Sequence, residues 1–136
     1  MSLSEEERTV MVRREYEKAL QFYRQAEMNA EIELWDVVAN RLYYSLFHGV
    51  CALLIRYGIQ VSSHKGAVIM FGQHFVQTGK FETNDGRFYA QLQSMREKAD
   101  YSCYWQVEST DLDGFLPRTK GILDKIREHL LPYLDY

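Results

Sequence analysis

The run from Val38 to Leu54 limits what this chain can fold into more than any other stretch. It lies in a longer helical pattern that begins near Glu33 and ends near Tyr57. Trp35, Val38, Leu42, Leu46, Val50, Leu53 and Leu54 repeat at three- and four-residue intervals, the spacing of one helix face. Tyr43, Phe47, Cys51 and Leu54 add a second apolar line beside the first. A helix apolar over most of its circumference belongs inside a bundle, because only other helices can cover it. Its middle, Leu42 to Val50, is therefore predicted to be almost wholly buried. Asn40, Arg41, Ser45 and His48 are its few polar residues. Arg41 and His48 are seven positions apart, which sets them within about 20° of each other around the axis. A buried cation without a partner is costly, so the rest of the chain has to supply partners.

The remaining sequence supplies helices of ordinary amphipathic kind. Ser4-Glu5-Glu6-Glu7 is a helix start, a capping hydroxyl followed by acids at the positive end of the dipole. It opens a helix to about Met28, with Val12, Tyr16, Ala19, Leu20, Tyr23 and Ala26 as its stripe. Its Arg13, Arg14, Lys18 and Arg24 fit a solvated face, although contact with phosphate is a second use for them. Gly58 closes the central helix. Ser62-Ser63 then caps a helix from about His64 to Gln77, which Gly79 ends. Thr83-Asn84-Asp85-Gly86 reads as a turn. A fourth helix follows from about Asp85 to Tyr104, with Phe88, Tyr89, Leu92, Met95, Ala99 and Cys103 inside. Thr110 to Asp113 reads as a capping box for a fifth helix reaching about Leu131, which Pro117 either opens or kinks. The expected fold is all-α: a single domain over 1–136, an up-and-down antiparallel bundle of four to five helices.

Composition excludes several classes of function. A net charge of −3 gives no global field to draw nucleic acid in, although a local basic patch remains open. Two cysteines, Cys51 and Cys103, do not make a disulfide framework, which points to a reducing, cytoplasmic setting. No signal peptide is expected from the acidic, polar start, and no membrane-spanning segment from the apolar runs. The histidines and acids do not cluster at ligand spacing, so no metal is expected. No phosphate-binding glycine loop, nucleophile elbow or cofactor motif is present, so no cofactor is expected. What remains is a set of polar residues on otherwise apolar helices: Asn40, Arg41, His48, His64, Arg96, Asp100 and Tyr101. Arg96 and Asp100 are one turn apart and can pair. These residues form either a structural network or the lining of a site.

Three blocks carry a family resemblance. Asn40-Arg41-Leu42-Tyr43-Tyr44-Ser45-Leu46-Phe47-His48 resembles the first motif of HEPN-domain proteins. His64-Lys65-Gly66, with Phe71 and Phe75-Val76-Gln77-Thr78-Gly79, is similar to the second. Arg96-Glu97-Lys98-Ala99-Asp100-Tyr101 is similar to the third, in the form found in the small stand-alone members. The resemblance implies a helical bundle that dimerises and an operon partner, commonly a minimal nucleotidyltransferase, as in toxin–antitoxin pairs. It also implies, for many members, a metal-independent endoribonuclease in which a late-helix arginine holds phosphate and a following histidine moves a proton. Here that histidine falls at positions 101 to 103 counting from Arg96, and those positions hold Tyr101, Ser102 and Cys103. A tyrosine is a poor proton shuttle near neutrality.

Two readings result. In the first, the protein is a homodimer of non-catalytic or weakly active modules. It binds nucleotide or RNA, and a nucleotidyltransferase partner, through a cleft lined by Arg41, His48, His64, Arg96, Asp100 and Tyr101. In the second, it is an endoribonuclease with His48 or His64 in place of the missing histidine. Arg96 and His48 are then the candidate catalytic residues, and His48 is expected to be either a core histidine or a partner facing Arg96 and Asp100.

Overall fold

The computed structural model describes residues 3–134. Five α-helices and no strand occur among them: α1 Glu5–Glu31, α2 Trp35–Arg56, α3 His64–Phe71, α4 Thr83–Tyr101 and α5 Phe115–Leu134. A π-helical turn, Gly72–Val76, prolongs α3, and a short 3-10 turn, Ser109–Leu112, precedes α5.

Contacts along the helices fix the directions. Ser45 donates to the Ala19 carbonyl at 2.7 Å, and Arg41 reaches Gln25, so α1 and α2 are antiparallel. Arg8 donates to the Ile55 carbonyl at the far end of the same pair. Gly49 lies against Leu123 and Ile126, while Arg56 lies against Tyr133, so α5 runs parallel to α2. Asp85 meets Lys125 and Phe88 meets Phe115, which makes α4 antiparallel to α5. Thus α1, α2, α4 and α5 alternate up and down. The third helix breaks the alternation. His64 sits beside Phe47 and Phe75 beside Tyr57, so α3 runs parallel to α2, and the connection 57–63 carries the chain back alongside it.

The core is the centre of α2 and what covers it. Leu42, Tyr43, Leu46, Leu53, Leu92, Leu123 and Ile126 are fully buried. By length and composition α2 is apolar enough to cross a membrane, contrary to the expectation from its sequence; here it is the central strut of the bundle. Its middle is not buried all round. Tyr44, Phe47 and His48 are only half-buried, on a face that α1 and α3 flank without closing.

Local chemistry accounts for most boundaries. Ser4 and Glu7 cap α1 reciprocally at 3.1 and 3.0 Å. The Ser63 hydroxyl accepts from Gly66 N at 2.9 Å, and a Cβ at Gly66 would meet that oxygen at 3.0 Å. The expected turn at Thr83–Gly86 is instead the first turn of α4. Glu82 and Asp85 cap it, and Gly86 serves close packing, since a Cβ there would meet Val76 at 3.1 Å. At the other end, Ser102 is extended and α4 stops at Tyr101 rather than Tyr104. Cys103 is consequently exposed, not an inner residue. The box expected over Thr110–Asp113 is a 3-10 turn capped by Glu108 and Asp111. Pro117 sits in the first turn of α5, where its missing N–H costs nothing, and does not kink it.

Candidate functional site

Where α2, α3 and α4 meet, the half-buried face of α2 opens into a cleft of about 610 Å³. Tyr44 forms one wall. His64 and Lys65, from the first turn of α3, form another. Gln93, Arg96, Glu97 and Tyr101 close it from α4.

Arg96 is the anchor. Only 8% of it is exposed, although α4 is amphipathic and the residue is charged. Its guanidinium carbon lies 4.9 Å from the Tyr43 ring centre and 5.7 Å from that of Tyr44. Cation–π contacts of this kind offset part of the cost of burying the charge. Asp100 approaches one terminal nitrogen at 3.8 Å, a loose pair. The charge of Arg96 also works against the rise that burial gives the Tyr43 pKa. Its Nε, although buried, has no partner.

Tyr43 links Arg96 to His64. The phenol oxygen lies 2.6 Å from His64 Nδ1. Proton positions follow from what each group can do. Of the two groups, the phenol is the stronger acid and the imidazole nitrogen the stronger base. Burial pushes the Tyr43 pKa up to about 12, so the phenol keeps its proton. That proton has His64 Nδ1 as its acceptor. Neutral imidazole accepting at Nδ1 carries its own proton on Nε2. Burial first, then the charges of Arg96 and His48, holds the His64 pKa below the usual imidazole value. His64 is therefore neutral near pH 7 and presents an Nε2–H donor. The ring is clamped by stacking on Phe47 at 4.2 Å and by the edge of Tyr44 at 5.8 Å.

Arg41 and His48 do share one face of α2, as their spacing requires, but their partners come from α1. His48 Nδ1 is 2.7 Å from Glu15, and its ring stacks on Phe22 at 5.4 Å. Arg41 lies over the same Phe22 ring at 5.0 Å and donates to Gln25 at 3.1 Å. His48 therefore faces Glu15 and not Arg96 with Asp100. Of the six residues singled out from sequence, His64, Arg96 and Tyr101 line the cleft and Asp100 braces Arg96. Arg41 and His48 stand one step round α2, where the His48 ring meets those of Phe47 and Tyr44.

Sequence reasoning overlooked Tyr43, Tyr44, Lys65 and Gln93. The signal was present in the doublet Tyr43-Tyr44. Adjacent helix positions differ by about 100°, so one tyrosine turns to the core and the other to the opening. Among the described residues no group of three or more His, Cys, Asp or Glu could hold a metal ion.

Comparison with known proteins places this geometry in context. Residues 12–129 match the family described as the HEPN domain. A Thermotoga maritima protein named "UPF0332 protein" is 30% identical over 122 residues, which cover 84% of this chain and 92% of that one. Two Methanocaldococcus jannaschii proteins, each named "putative toxin", are 26% and 30% identical. Those matches cover 85% and 77% of this chain, and 78% of each relative.

Proposed function

The chain belongs to the HEPN domain family, and from that premise we propose that it binds RNA or a nucleotide in the α2–α3–α4 cleft without cutting it. In this reading it is the toxin-like member of a toxin–antitoxin pair. The names of the two Methanocaldococcus relatives support that assignment. The protein acts in the cytoplasm as a homodimer, with a minimal nucleotidyltransferase as partner, as the family resemblance implies. An apolar patch around the α1–α2 turn, where Met28, Ile32 and Leu34 are exposed, supports a protein–protein contact.

The observation that carries the reading is a chain of contacts: Arg96 lies over the Tyr43 ring, and the Tyr43 hydroxyl bonds His64 Nδ1. It pre-orients donors, the Arg96 guanidinium and the His64 Nε2–H, at a cleft wide enough for a nucleotide. Donors fixed in advance bind phosphate oxygens without the entropic cost of ordering flexible side chains. The Tyr43–His64 bond weighs against catalysis. With Nδ1 accepting from Tyr43 and Nε2 protonated, the neutral ring has no free lone pair to remove the 2′-hydroxyl proton. A ribonuclease would also need a second group to protonate the leaving oxygen. Tyr101 is the nearest α4 residue to that role, and a phenol is too weak an acid near neutrality.

The endoribonuclease reading survives in one form, with His64 rather than His48. His64 shares the cleft with Arg96, whereas His48 is taken up by Glu15. End-labelled RNA incubated with the purified protein separates the two readings. Retention of intact RNA supports binding. Cleavage that disappears in His64→Ala supports the nuclease and overturns the non-catalytic reading.

A further inference from the structure

Charge is unevenly spread along the bundle. The α1–α2 turn lies against the segment that leads into α5: Val107 N donates to Asp36 at 3.1 Å, and the Tyr23 hydroxyl donates to the Leu116 carbonyl at 3.1 Å. Residues 25–40 and 105–117, which build this end, hold seven carboxylates and no Lys or Arg. The whole chain carries −3, so the remainder of it carries +4. Local rules do not put these acids here. Glu31 stands in the last turn of α1, at the negative end of the dipole, where a cation is favoured and none occurs. Glu33 takes φ 59°, a left-handed conformation that glycine or asparagine adopts at less cost. Apolar surface is interleaved with the acids. Met28 and Ile32, one turn apart, are each 65% exposed, and Leu34 is 48% exposed. Leu34 also lines, with Trp35, Val37 and Val107, a hollow of about 250 Å³ that Glu33, Asp36 and Glu108 share. The acids do not gather as a metal site, since no described group of three or more His, Cys, Asp or Glu could hold an ion.

We infer that this end docks a basic, amphipathic segment of a different protein, with apolar residues on Met28, Ile32 and Leu34 and Lys or Arg side chains against the carboxylates. The inference rests on the reading above for the existence of a protein partner, adds the chemistry of that partner's surface, and does not depend on RNA binding at the cleft. Charge decides the class of occupant. Nucleic acid and an anionic membrane surface are both repelled by a face that is acidic throughout. A second copy meeting this face about a two-fold axis would bring the patch onto itself, acid against acid. The positive remainder of another copy could meet it only head to tail, which gives a ring or an open chain and not a closed dimer. A different protein with cations around an apolar stripe meets none of these obstacles. Apolar contact then supplies affinity, while the charges steer approach and exclude acidic competitors.

The test uses the full chain and a model helical peptide of about 18 residues, Leu on one face and Lys on the other, beside Leu/Glu and Ser/Lys counterparts. Anisotropy of the labelled peptides reads affinity, and amide shifts in nitrogen-15 NMR read the place of binding. The Leu/Lys peptide is expected to shift amides in 25–40 and 105–117, and to bind at least about tenfold more tightly than either counterpart. Met28→Ser/Ile32→Ser should weaken it by about tenfold or more, the loss of aliphatic contact. Glu27→Lys/Glu31→Lys should weaken it too and gain affinity for the Leu/Glu peptide. Cations suit the C-terminal end of α1, so this variant stays folded, as circular dichroism should show. RNA affinity should be unchanged in both variants. No binding of the Leu/Lys peptide, shifts confined to other parts of the protein, or equal binding of the Ser/Lys peptide overturns the inference. So does a Met28→Ser/Ile32→Ser variant that turns a dimer into a monomer in sedimentation, since the face is then a contact between copies. RNA binding without peptide binding overturns the docking face alone, and peptide binding without RNA binding overturns the cleft reading alone.

Discussion

The proton arrangement at His64 is the most exposed of the residue-scale claims. Nitrogen-15 NMR should find His64 as the Nε2–H tautomer, and Tyr43→Phe should release it to a mixture, because Nδ1 then loses its donor. Stability should follow pH in a definite direction. Burial, then Arg96 and His48, lowers the pKa of His64, and burial, then Lys80 and Arg56, lowers that of His129. Each folded imidazole binds fewer protons than its unfolded counterpart, whose pKa is about 6.5. Stability is therefore full above that pH and declines as pH falls below it. The urea midpoint should be lower at about pH 5.5 than at about pH 7.5, and the double variant His64→Gln/His129→Gln should show less of that decline. A midpoint that rises on acidification contradicts the assignment. At this scale the sequence shows which residues are out of place but not where they go. Arg41 and His48 stand out on an apolar helix, yet whether α1 or α4 supplies their partners depends on which neighbour lies on that side. Glu15, Phe22 and Gln25 belong to an α1 face that reads as ordinary solvent-exposed helix.

At the scale of elements, α4 has the most at stake, since it carries Arg96 and Tyr101. Asp85 fixes where it begins. Only 7% exposed, it accepts from Glu82 N at 3.0 Å and from Lys125 at 2.8 Å. Asp85→Ala removes a cap and leaves the Lys125 ammonium unpaired, and should destabilise the protein by about 1–3 kcal/mol in urea denaturation. Lys125→Ala should cost less, because Asp85 keeps its bond from Glu82 N and loses only a partner that is 40% exposed. If Asp85→Ala unfolds no more readily than wild type, the account of this helix start is wrong. Caps made by hydroxyls were legible because their partners lie three residues away, as at Ser4 and Ser63. The start of α4 was not, since Thr-Asn-Asp-Gly has the composition of a turn. What makes it helical is Lys125, which sits on another helix, and Val76, which needs Gly86 for close approach. The direction of α3 was illegible for a related reason: the length of the 57–63 connection allows either sense, and the packing of His64 on Phe47 together with Phe75 on Tyr57 selects one.

For the molecule as a whole, the all-α bundle follows from α2, whose two apolar lines demand cover on several sides. The location of the cleft follows from where that cover is incomplete. Tyr44, Phe47 and His48 are left half-buried, and Arg96 and His64 are drawn over the gap. Sedimentation at about tens of micromolar should give a dimer, and a monomer there contradicts the proposed assembly. The central claim is that Arg96 holds nucleic acid in this cleft, and its most direct test is the RNA affinity of Arg96→Ala beside wild type. Circular dichroism on both samples confirms that each is folded. The account predicts a helical variant whose affinity for RNA is lower by about 1–3 kcal/mol, the loss of a charge-assisted contact. A folded variant that binds RNA as tightly as wild type would contradict it.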